Sequence, residues 1–104
     1  MTTNHTPGPW TLETVRTVSG FCHKVGPFPA RREGGDPRHA CLYSDYPSES
    51  NPADQELLAN ARLIAAAPEL LKALEAIVND PYVSALGSLG IRAKRVIAKA
   101  RGEQ

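Results

Sequence analysis

"NPADQELLANARLIAAAPELLKALEAIVNDP", Asn51–Pro81, is the stretch whose reading decides the fold. Asn51 suits a helix N-cap, Pro52 suits the first helical position, and Asp54 favours the positive end of the helix dipole. Leu57, Ala61, Ile64, Leu71, Leu74 and Val78 recur at helical spacing in one stripe. Leu63, Ala67, Leu70, Leu74 and Ile77 form an adjacent one, so the apolar face is wide. Pro68 stands inside this pattern. It removes the hydrogen bond an N–H would give to the Ile64 carbonyl, and its ring crowds that carbonyl. The stripe nevertheless stays in phase across it. The spacing therefore predicts one Pro-kinked helix over 51–79, with a break hinged at Ala66 or Ala67 as the alternative. Asn79, Asp80 and Pro81 are stop chemistry.

Two features of the helix ask what it presses against. Ala65, Ala66 and Ala67 add little area but let another backbone come close, from this chain or from a second copy; alanine is also simply the best helix former. Asn60 groups with Leu57, Ile64, Ala67 and Leu71 on a helical wheel. If that face is buried, its amide needs a neighbouring backbone group or a ligand. Arg62 points about two steps of 100° away, as a solvated charge or a ligand contact.

Working outward, most of the nine prolines and eight glycines lie before Asn51, so the first half is rich in turns. "NHTPGPW" is an extended entry with Trp10 as its anchor. "WTLETVRTV" alternates with period two and predicts a strand at 10–18. A second strand is expected at Phe21–Val25, reaching toward Phe28. A third covers Arg38–Tyr43, after the breakers in "ARREGGDP". "YVSALGSLG" is a short helix or an irregular link. "IRAKRVIAKAR" is a last helix, with Ala93, Val96, Ile97 and Ala100 inward and Arg92, Arg95 and Lys99 outward. The fold class expected is α+β: a small antiparallel β-meander of about three strands on a Pro-kinked helix, plus a shorter C-terminal helix. A chain of 104 residues is one domain, divided as arm and meander 1–50, helix 51–79, and link with basic helix 80–104.

Composition narrows the function classes. The net charge is +1 but uneven: 51–80 is acidic and the tail is basic. That asymmetry permits an acidic partner or head-to-tail docking of subunits. No run approaches the roughly 20 apolar residues of a membrane span. The start has neither the charged nor the apolar region of a secretory signal, and two cysteines make no disulfide framework, so a reducing cytoplasm is the expected compartment.

The residues for chemistry are sparse. Cys22, His23, His39 and Cys41 have the right types for zinc. Adjacent Cys22 and His23 would point to opposite faces of a strand, however, and no Cys-x-x-Cys knuckle is present, so no metal or other cofactor is expected. Cys22, Cys41, His39 and Asp45 lack any nucleophile signature, and "EGGD" lacks the lysine of a phosphate loop. The chain therefore reads as no enzyme. "PARREGGDPRH" is the best binding candidate. Arg31, Arg32, Arg38 and His39 flank a glycine-rich turn, with Tyr43 and Tyr46 nearby. Guanidinium forks grip phosphate and aromatic rings stack on bases. The competing reading is a solvated loop with internal ion pairs. Arg92, Arg95 and Lys99 could instead meet phosphates of a nucleic acid, without a recognisable helix-turn-helix.

"HTPGPW" (His5–Trp10) together with "NARLIAAAPELLKAL" (Asn60–Leu74) resembles a large set of small uncharacterised proteins encoded by tailed bacteriophages and prophages. "VGPFPARR", "HACLYSDYP" and the final "AKARGE" are similar too, so the resemblance covers most of the chain. It implies a phage accessory protein and carries over no catalytic residue. By analogy with small phage proteins that counter host defences, the expected role is binding: sequestering a small anionic nucleotide signal or blocking a host defence protein, as a homo-oligomer. Arg31, Arg32, Arg38, His39, Tyr43, Asn60 and Arg62 are the expected ligand contacts. A protein–protein adaptor that uses the apolar helix face is the alternative, and nucleic-acid binding through the basic tail a further one.

Overall fold

The computed structural model describes residues 5–18, 20–45, 52–82 and 87–103. Five elements follow in order: β1 (Thr11–Arg16), β2 (Gly20–Phe28), β3 (Arg38–Asp45), α1 (Pro52–Val78) and α2 (Ser88–Ala100). This is the expected α+β plan of three antiparallel strands and two helices. Helix α1 runs through Pro68 without interruption. The expected Asn51 cap and Tyr46 lie outside the described residues. The chain forms two compact units, one of Pro9–Ala67 and one of the arm through Gly8 with everything from Pro68 onward.

In the first unit the sheet order is β1-β2-β3. The β1–β2 hairpin closes where the Thr17 N–H and hydroxyl both donate to the Gly20 carbonyl, at 2.6 and 2.9 Å. Opposite residues in an antiparallel pair share a face, and the register sets the two faces apart. Thr14 faces His23 and His23 faces Leu42, while Phe21 faces Ser44. Cys22 lies opposite Val15 and Tyr43, and Lys24 opposite Glu13 and Cys41, on the other side. As the strand alternation required, Cys22 and His23 point apart. Trp10 packs edge-on against Phe28 at the far end of β2, ring centroids 5.2 Å apart. The register of β2 and β3 shifts between Val25 and Phe28. There Gly26 lets His39 in closely: a methyl group on Gly26 would stand 3.0 Å from the His39 Cδ2.

The first half of α1 faces the Phe21–His23–Ser44 side. Ser44, buried in β3, donates its hydroxyl proton to the Asp54 carboxylate in the first turn of the helix. Ala61 and Val25 are both wholly buried.

In the second unit α2 packs on the last turns of α1. Val78 and Ile97 are its buried apolar residues, and Arg101 pairs with Glu75 at 2.6 Å. The C-terminus of α2 is a Schellman cap. The Glu103 N–H bonds the Ala98 carbonyl at 2.8 Å and the Gly102 N–H bonds that of Lys99 at 3.1 Å. Gly102 takes φ 76°, the left-handed conformation that glycine adopts without cost. Gly8 of the arm lies on the Pro68 ring; a methyl group there would come within 2.7 Å of the proline Cβ. Helix α1 ends at an Asx turn, with the Tyr82 N–H on the Asp80 carboxylate at 2.8 Å.

Three expectations need correcting. The inner flank of α1 is centred on Ala61, and Asn60, one 100° step away, is exposed, so its amide needs no protein partner. The second apolar stripe faces outward: Leu63 is 62%, Leu70 53% and Ile77 51% exposed. In α2 the helix begins three residues before Ile91, and Val96 and Ala100 turn outward while Gly90 and Ile97 are buried. A helical wheel spreads the apolar face too widely, because among the described residues only part of each helix surface is covered.

Candidate functional site

The turn after β2 carries the arginines. The Gly35 N–H bonds the Arg32 carbonyl at 3.0 Å and closes a β-turn over Glu33 and Gly34. Gly34 sits at φ 78° with open space around it, so conformation alone demands glycine there. Arg38 opens β3 opposite Phe28 and donates its Nε–H to the Pro29 carbonyl at 2.8 Å. That bond fixes the guanidinium and leaves its two terminal nitrogens for other partners.

Arg31, Arg32 and Arg38, with Gly35 and Asp36, line an open hollow of about 570 Å³. Residues 31–38 are exposed throughout. Among the described residues no carboxylate stands within 4.0 Å of these three guanidinium groups; the ion pair present is Arg101–Glu75. The internal ion pairs of the competing reading are therefore absent from this turn. Three cations against Glu33 and Asp36 leave the turn with a net charge of +1.

The other expected contacts are placed elsewhere. His39 is half-buried over Gly26 and does not line the hollow. Tyr43 is 66% exposed, five strand positions and roughly 16 Å from Arg38. Asn60 and Arg62 are exposed on α1 and also stand apart from it. Arg92, Arg95 and Lys99 are exposed along α2. Among the described residues no three His, Cys, Asp or Glu side chains converge as a metal set. Nor is any helix among them long and apolar enough to cross a membrane.

On the outer sheet face Cys22 is buried beside Cys41 and Tyr43. Burial pushes the Cys22 thiol above its ordinary value, and the Cys41 thiol adds to this. The same two thiols raise the Tyr43 phenol, Cys41 more than Cys22. A raised thiol at Cys22 is the opposite of what a nucleophilic cysteine needs.

Residue-by-residue inspection of the sequence missed a second group. His23 Nδ1 and the Thr14 hydroxyl lie 2.9 Å apart, next to the Ser44–Asp54 pair. Strand parity gives each residue a face, but the register that sets Thr14 opposite His23 comes from the structure.

Residues 1–104, the whole chain, match the model of the Salmonella phage P22 protein Y8K6 family. The chain belongs to that family. No curated protein matches it, and no solved structure does. The family confirms the phage connection that the motifs implied. Within this family member, three of the stretches that carried the resemblance have physical roles. "HTPGPW" and "NARLIAAAPELLKAL" meet at Gly8 and Pro68, and "AKARGE" is the Schellman cap with its Arg101–Glu75 pair.

Proposed function

We propose that this phage-family protein is a non-enzymatic accessory protein of the bacterial cytoplasm, that it holds a small anionic molecule at the arginine turn, and that it counters host defence by sequestering a nucleotide signal. The observation that carries the reading is the hollow framed by Arg31, Arg32 and Arg38, with no carboxylate among the described residues paired to any of them. Guanidinium groups kept apart from carboxylates are available to phosphate oxygens, and bidentate contacts suit that geometry. The Arg38–Pro29 bond holds one guanidinium in place before a ligand arrives, which lowers the entropic cost of binding, and the β-turn at Gly34 sets the backbone that carries Arg31 and Arg32. Tyr43 is too far along β3 to stack on the same ligand, so recognition here rests on charge and shape.

The test is a thermal-shift and calorimetric screen against cyclic and linear nucleotides. A saturable shift is expected, weakened at least tenfold in Arg31→Ala/Arg32→Ala and by added salt. No shift across the panel would abandon the nucleotide reading.

A second reading rests on a different observation. Leu70 and Ile77, seven positions apart on α1, are each more than half exposed, and so is Leu63. Large apolar side chains left open in this way suit a protein contact. It supports a homo-oligomer or an adaptor for a host defence protein. Light scattering tests the first of these: a strict monomer at micromolar concentration counts against self-association.

A further inference from the structure

A second hollow, of about 450 Å³, lies at the opposite end of the sheet from the arginine turn. Thr14, Phe21, His23, Ser44, Asp54 and Leu58 line it. Phe21, beside this hollow, and Phe28, paired with Arg38, are seven positions apart on β2, roughly 20 Å along a strand. The two sites are thus separate, and a ligand in this hollow need not touch the arginine turn.

The polar groups of this hollow are built in rather than scattered on a surface. His23 is only 5% exposed, and so is Ser44. The His23 ring uses Nδ1 with the Thr14 hydroxyl. Its Nε2 takes no hydrogen bond from the described residues, yet it is not sealed off from the hollow that the residue lines. Open to the hollow and without a protein partner, that nitrogen can meet water or a ligand. The Ser44 hydroxyl proton is committed to Asp54, so the Ser44 oxygen keeps its acceptor capacity for a visitor. Phe21 and Leu58 supply apolar walls. The volume lies within the range of small-molecule sites, and apolar walls with a few convergent polar groups are their usual lining.

Charge decides the class of ligand. The Asp54 carboxylate stands at this hollow, and among the described residues no lysine or arginine lines it. An anion would meet repulsion there. A flat, uncharged ring with a donor on its edge would meet the Ser44 oxygen, the His23 Nε2 and the face or edge of Phe21. We propose that this hollow binds a neutral heteroaromatic ring of the nucleobase class, with His23 Nε2 and Ser44 Oγ reading its hydrogen-bonding edge.

The experiment uses the full chain and four uncharged nucleosides: adenosine, guanosine, cytidine and uridine. The His23 ring signals are followed by NMR. At least one nucleoside is expected to move them saturably at millimolar concentration or below. Movement by none of the four overturns the proposal. Because these probes carry no phosphate, that failure would leave nucleotide binding at the arginines standing, and failure of the nucleotide screen would leave this proposal standing. Leu58→Trp fills the hollow and should abolish the response while a cooperative melt is kept; a response that persists overturns the assignment. Should Leu58→Trp fail to fold, Ser44→Ala decides. Affinity is expected to fall at least fivefold, and unchanged affinity would sink the role given to Ser44 Oγ.

Discussion

Ala61 and Leu63 stand two positions apart on α1, yet one is wholly buried and the other is 62% exposed. Near the end of α1 the same contrast recurs between neighbours, with Val78 buried and Ile77 51% exposed. Where the first half of α1 is most tightly covered it carries only the methyl group of Ala61, and Leu57 and Leu58 beside it are half-buried. Leu63, Leu70 and Ile77 thus remain more than half exposed on a helix whose other apolar side chains are in part covered.

The sharpest way to break the contrast is Ala61→Asp. A carboxylate with no partner at a wholly buried position costs about 3–5 kcal/mol, a large share of the stability of a domain this size. Loss of the cooperative thermal transition is the expected result; a melt like that of the parent chain would mean the flank is not packed. Next comes Gly8→Ala, where the new methyl group would overlap the Pro68 ring at 2.7 Å. Overpacking of this kind costs roughly 1–3 kcal/mol, and the midpoint of a urea titration should fall accordingly.

The sheet offers a smaller version of the same contrast, since Cys22 is buried and Cys41 exposed on one face. A maleimide should label Cys41 in the native protein and Cys22 only after denaturation. Because burial raises the Cys22 thiol in the folded state, its contribution to stability is complete below the ordinary thiol range of about 8.5 and is lost as pH rises through the folded value. Melts from neutral to strongly alkaline pH should show that decline, and Cys22→Ala should flatten it. The smallest effect on folding belongs to the open flank. Leu63→Ser with Leu70→Ser should change stability by no more than about 0.5 kcal/mol per site while reducing any self-association seen by light scattering. A large loss of stability instead would show that those side chains serve the fold of the single chain.

Much of this architecture could be read from residue order. The breakers at Gly34, Gly35 and Pro37 separated β2 from β3, and alternation assigned Cys22 and His23 to opposite faces. The unbroken phase of the stripe carried α1 across Pro68. Which of two adjacent apolar stripes would be covered could not be read, because that depends on where β2 and β3 come to lie and both stripes satisfy helical periodicity equally. Asn60 was misplaced for the same reason, since a rotation of one residue step moves it from a covered flank to solvent. The arginine cluster was legible from spacing. The His23–Thr14 and Ser44–Asp54 pairs were not, since each joins residues from different elements through a register that sequence alone does not fix.

The seat of Gly8 on Pro68 has a consequence for how such genes vary. The two codons lie far apart, yet the side-chain-free glycine and the helix proline fit each other like key and lock. Lineages that exchange their front segment by recombination should inherit or lose both together, and a chimera that joins a bulkier arm to this helix should be selected against even when every other contact is intact.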